Sequence, residues 1–119
     1  MKDNPFETIK LKLRAFAEQR DWDQFHSPKN LAMALNVEAA ELLEHFQWLS
    51  QQQSSSLDAE TLAEVADEIA DIQVYLIRLA DKLGVDIVTT TEAKIEKNAQ
   101  KYPAEKVRGQ SKKYTKYQD

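Results

Sequence analysis

The sequence contains no cysteine, which excludes disulfides, thiolate metal sites and a cysteine nucleophile. Two glycines and three prolines in 119 residues leave few places to break the chain, and that favours long helices. No apolar run approaches the roughly 20 residues of a membrane span. Met1 to Pro5 is polar and no apolar stretch follows, so the N-terminus does not read as a secretion signal. No segment shows strand alternation, and there are no internal repeats. What is present is the balance of a globular protein, 42% hydrophobic and 30% charged. A soluble, cytoplasmic protein of one domain, residues 1–119, is the expectation.

The net charge of −4 is unevenly spread. Residues 94–119 hold eight basic and three acidic side chains, a local charge of +5, while the rest of the chain carries −9. The acidic body disfavours a nucleic-acid partner, and no groove-reading helix is apparent.

Four helices are expected, so the fold class is all-α, a four-helix bundle. Helix 1 spans about Phe6 to Arg20, and the connector DWDQFHSPKN follows. Ser27-Pro28 has the form of an N-cap with proline at the first helical position, opening a helix to about Leu49. Gln51 to Ser56 reads as a polar loop, with Ser56 or Asp58 capping a third helix that ends at Leu83 before Gly84. The fourth runs from about Asp86 to Lys101, and from about Pro103 to Asp119 an extended basic tail is expected.

In the third helix Leu62, Val65, Ile69, Ile72, Leu76, Leu79 and Leu83 alternate three- and four-residue steps, the pattern of a packing seam. Ala63, Ala66, Ala70, Val74 and Ile77 make a second side apolar as well, which implies a homodimer or larger assembly.

At about 100° per residue, Glu38 lies only about 45° from the apolar stripe of the second helix, Glu41 roughly 105° and Glu44 about 165°. Glu68 lies about 60° from the seam of the third helix, Asp71 roughly 120° and Asp67 about 160°. Glu44 and Asp67 should therefore face water. If the two helices pack antiparallel, Glu38, Glu41, Glu68 and Asp71 converge, and four partly buried carboxylates call for a cation. An all-oxygen set favours a hard ion, Mg²⁺ first. The dinuclear-iron pattern of Glu-x-x-His is absent, because Leu42 stands three residues before His45. Trp22, Phe25, Trp48 and Tyr75 are candidates for stacking on a nucleobase.

Glu38-Ala-Ala-Glu41 followed, after twenty-six residues, by Glu68-Ile-Ala-Asp71 resembles the ExxE…ExxD signature of MazG-like nucleoside triphosphate pyrophosphohydrolases. The flanking RDWDQFHSPKNLAMAL, ELLEHFQW, KIEKNAQKYP and SKKYT resemble the dCTP pyrophosphatase branch, so the likeness runs over nearly the whole chain. The resemblance implies hydrolysis of (deoxy)nucleoside triphosphates between the α and β phosphates, in clearing the nucleotide pool, with a lean to dCTP. It implies Mg²⁺ held by Glu38, Glu41, Glu68 and Asp71, and a dimer or a tetramer of two dimers. Glu41, further from the seam and freer to reach water, is preferred as the base. Lys94, Asn98, Lys101 and Tyr102 are implied to bind the triphosphate, and His26 to face the pocket. Leu13 replaces a histidine of the vertebrate enzymes, and Ala39 and Ala40 replace glycines; both bear on base choice. The competing class is a non-catalytic helical interaction module whose acidic residues form a solvated stripe.

Overall fold

In a computed structural model, which describes residues 4–110, the chain clusters into two units, one ending at Val85 and the other beginning at Asp86. Among the described residues every regular element is helical. The first unit holds α1 (Pro5–Gln19), a 3₁₀ turn (Asp23–Phe25), α2 (Pro28–Glu44), the one-turn α3 (Gln51–Ser54) and α4 (Ala59–Leu83). The second holds α5 (Ile87–Lys101) and the short α6 (Ala104–Val107), a helical turn following Pro103 where an extended tail is expected. The four long helices are those the sequence predicts, while residues 111–119, including the SKKYT string, lie outside the described residues.

The helix starts follow from side chains that satisfy otherwise unpaired N–H groups. Asn4 accepts from Phe6 and Glu7, Ser27 from Asn30, Asp58 from Thr61 and Asp86 from Thr89. Ser27→Ala should cost about 1 kcal/mol of stability, measurable as a shift in the urea midpoint at constant m. At the other end of α4, Gly84 takes φ 69° and the Val85 N–H reaches the Ala80 carbonyl at 2.8 Å, a Schellman closure.

The α1 terminus closes in the same way without glycine. Asp21 adopts φ 54° and the Trp22 N–H bonds the Ala17 carbonyl at 2.9 Å. Aspartate tolerates this left-handed position better than most residues. The reversal turns the Trp22 ring edge-on to Phe16, with centroids 5.8 Å apart.

Two boundaries differ from the expectation. α2 stops at Glu44 rather than Leu49, and residues 51–54 are helical rather than loop. The reason is a capping box. Ser50 Oγ accepts from the Gln53 N–H at 3.1 Å and Gln53 Oε1 accepts from the Ser50 N–H at 2.9 Å. Ser50 is thereby extended, with ψ 166°, so a helix cannot run through it.

Packing in the first unit is dominated by α2 against α4, with α1 against α4 as a lesser contact. The α2–α4 pair is antiparallel, since His45 approaches Glu64, Glu38 approaches Glu68, and His26, before α2, meets Arg78. The expected seven-residue seam of α4 divides in two. Val65, Ile72 and Leu79 turn inward, whereas Leu62, Ile69, Leu76 and Leu83 stay between 39% and 57% exposed. These four recur every seven residues and form an apolar stripe along the outer side of α4.

Candidate functional site

Helix geometry brings Glu38 and Glu41 of α2 to Glu68 of α4. One carboxylate oxygen from each lies within 4.8 Å of the others. Oε2 of both Glu38 and Glu68 is buried without a hydrogen-bond partner. An unpartnered buried carboxylate oxygen is costly, and two side by side are more so. Burial first, and then the adjacent Glu68 and Glu41, push the Glu38 carboxyl up to about 7. Glu44 and Asp67 are exposed, as their helical angles require.

Between the ordinary 4.5 and about 7, folded Glu38 holds a proton that the unfolded chain has released. Its effect is therefore to lower stability as pH rises through that window in metal-free buffer. Melting curves at stepped pH should show the decline in the native chain and a flatter profile in Glu38→Gln.

Asp71 is not one of the three clustered carboxylates, although its charge helps to raise Glu38. It lines an adjoining cavity of about 360 Å³ with Leu13, Phe16, Ala17, Trp22, His26, Val74, Tyr75 and Arg78. Trp22, His26 and Tyr75, all expected at a binding pocket, thus come together, and Asp71 links that pocket to the carboxylates. Trp48 and Phe25 do not line it. Trp48 sits in the turn after α2 and is 86% exposed within this chain.

Arg78 is the residue that sequence reasoning missed. Helical arithmetic places it in the polar sector of α4, yet it is 4% exposed. It bonds Asp23 at 3.0 Å and approaches Asp81 at 3.7 Å. Arg14 grips Asp81 through a fork at 2.6 and 2.7 Å, and Lys82 bonds Asp23 at 2.6 Å. Arg14 holds the Asp81 carboxyl below its usual range, and Lys82 followed by Arg78 does the same for Asp23. The one signal in the sequence is the abundance of acids, Asp23 and Asp81, able to neutralise an enclosed cation.

Lys94 and Asn98 lie one turn apart on α5, Lys101 ends that helix, and Tyr102 caps it with its N–H on the Asn98 carbonyl at 2.8 Å. They belong to the second unit.

Residues 33–116 match the model of the MazG-like family. The chain belongs to that family. A dCTP pyrophosphatase 1 of Rattus norvegicus is 39% identical over 102 residues, 84% of this chain and 60% of the relative. The Homo sapiens protein of the same name is 38% identical over the same shares. The chain thus spans about 60% of the length of the curated relatives it matches. A crystal structure of a pyrophosphatase from Archaeoglobus fulgidus is 38% identical, with a TM-score of 0.81 over 87% of this chain and 96% of that one. At that likeness the MazG-like fold, not only the helix content, is shared.

Proposed function

We propose that this MazG-like protein hydrolyses (deoxy)nucleoside triphosphates to monophosphate and pyrophosphate, favouring deoxynucleotides and dCTP among them, and so clears the nucleotide pool. The carrying observation is the carboxylate cluster with two buried, unpartnered oxygens beside a cavity that Trp22, His26 and Tyr75 line. That donor set suits a hard divalent ion, since it offers oxygen only and has unsatisfied lone pairs. Glu38, Glu41, Glu68 and Asp71 are the residues that would hold Mg²⁺. When bound, the ion would neutralise triphosphate charge and polarise the α-phosphorus.

The chain's own residues do the rest. Glu41 orients the attacking water and takes its proton, leaving pyrophosphate to depart in line. The cavity receives the base, with Trp22 and Tyr75 offering ring faces. Lys94, Asn98, Lys101 and Tyr102 bind the phosphates, a role supported by family membership and by the i, i+4 spacing of Lys94 and Asn98 one turn before Lys101. Among the described residues no helix is long and apolar enough to cross a membrane.

Self-association belongs to the same reading. The exposed stripe Leu62, Ile69, Leu76 and Leu83 has the seven-residue period that packs helix on helix, and a second copy supplies a matching stripe by symmetry. A homodimer, or a tetramer of two dimers, buries it. Trp48, exposed and outside the cavity of its own chain, would join a base pocket through such an assembly.

A phosphorus NMR time course on the four dNTPs and four NTPs tests the activity, with Mg²⁺ and then with excess EDTA. Monophosphate plus pyrophosphate should appear only with the metal, fastest for dCTP. Orthophosphate with a diphosphate would mean a different phosphohydrolase. No turnover of any of the eight would favour a helical interaction module instead.

A further inference from the structure

Arg78 carries more than charge balance. Its guanidinium is enclosed, and its Nε–Nη2 edge faces His26, with Nε 3.4 Å and Nη2 3.2 Å from His26 Nδ1, while Nη2 also bonds Asp23 at 3.0 Å. A guanidinium has only donors and does not lose its proton in proteins. His26 Nδ1 is therefore the acceptor, which requires a neutral ring with its proton on Nε2. Burial, and then the Arg78 charge, hold the His26 pKa below its ordinary value, in the same direction. No described residue accepts a hydrogen bond from Nε2, and His26 and Arg78 both line the 360 Å³ cavity.

We propose that Arg78 is a positioning residue that locks His26 in the Nε2–H tautomer, and that this N–H is the cavity's donor to an acceptor atom on the nucleobase edge. The second half rests on the cavity being the base pocket argued above. The base class that fits presents a carbonyl oxygen or a bare ring nitrogen at that point, which the 2-carbonyl and N3 of cytosine supply. Without Arg78 the ring would exchange tautomers, and the molecules with the proton on Nδ1 would present an acceptor to an acceptor. The lock thus acts on binding, not on the phosphorus chemistry.

Two readouts test it. Long-range proton–nitrogen correlation on ¹⁵N-histidine protein, free of nucleotide, should show His26 with Nε2 protonated and Nδ1 bare. Arg78→Lys keeps the charge but loses the fork, and it should give a mixture. Addition of dCTP with Mg²⁺ should shift the wild-type Nε2–H resonance. In kinetics, Arg78→Met should raise the KM for dCTP by no more than about twofold, because only the molecules in the wrong tautomer lose the donor, with kcat held within about twofold. His26→Phe removes the donor in every molecule and should raise the KM about tenfold, and the double variant should be no worse than His26→Phe alone.

A protonated or Nδ1–H ring in the wild type overturns the lock. Additive losses in the double variant, or a kcat loss in the well-folded Arg78→Lys, would show that Arg78 acts structurally and not through His26. Failure of the wild type to hydrolyse any triphosphate would sink the enzymatic reading and the base contact together. The tautomer spectrum would then still judge the lock by itself.

Discussion

Glu38→Gln and Glu68→Gln should each lower kcat/KM for dCTP on the order of 10²- to 10³-fold, from several kcal/mol of lost charge stabilisation. The same substitutions should raise the melting temperature of the metal-free protein. Both effects have one source, the two buried oxygens without partners and the carboxyl of Glu38 pushed up to about 7. An amide in either place removes a charge that burial disfavours and lets its N–H₂ donate to the remaining carboxylate. Opposite movement of activity and stability is the mark of a residue retained for function against the interest of the fold. Melting scans with and without Mg²⁺ complete the test, since a bound ion stabilises the native chain by mass action. A Mg²⁺-dependent rise in the native chain that vanishes in both variants is expected. An equal rise in all three would remove the metal from this cluster.

Ile69→Asp combined with Leu76→Asp should separate the protomers. Each native side chain contributes roughly 1.5–3 kcal/mol when fully buried, and each replacement would place a carboxylate in an apolar contact. A weakening of association on the order of 10³-fold or more follows. Light scattering behind a sizing column, over a range of protein concentrations, measures it. The native chain should run as a dimer or tetramer and the double variant as a monomer. Because both positions face outward in the single chain, helix content should persist. Helix content lost together with assembly would mean that the fold itself needs the partner, as in many obligate dimers. A native chain that is already monomeric at all concentrations would refute the assignment of the stripe.

Local chemistry made much of this protein legible without coordinates. Ser27-Pro28, Asp58, Gly84 and Asp86 each act through neighbours a few residues away, so their roles are readable from the string. The choice of Glu38 and Glu68 as inward-facing needed only the 100° step of a helix and the position of its apolar stripe. The end of α2 was harder, because a polar capping box at Ser50 and Gln53 outweighed the apolar periodicity that continues to Leu49.

Tertiary structure alone decided the rest. A three–four repeat names two rows at once, and only packing against α2 shows that Val65, Ile72 and Leu79 are the inner row and Leu62, Ile69, Leu76 and Leu83 the outer. It also set Asp71 apart from the three clustered carboxylates and into the wall of the aromatic cavity. Arg78 is the sharpest case. Its partners Asp23 and His26 are 55 and 52 residues away in sequence, and no periodicity reports a contact of that separation. Periodicity fixes directions around one helix axis, whereas burial depends on which other axis lies alongside.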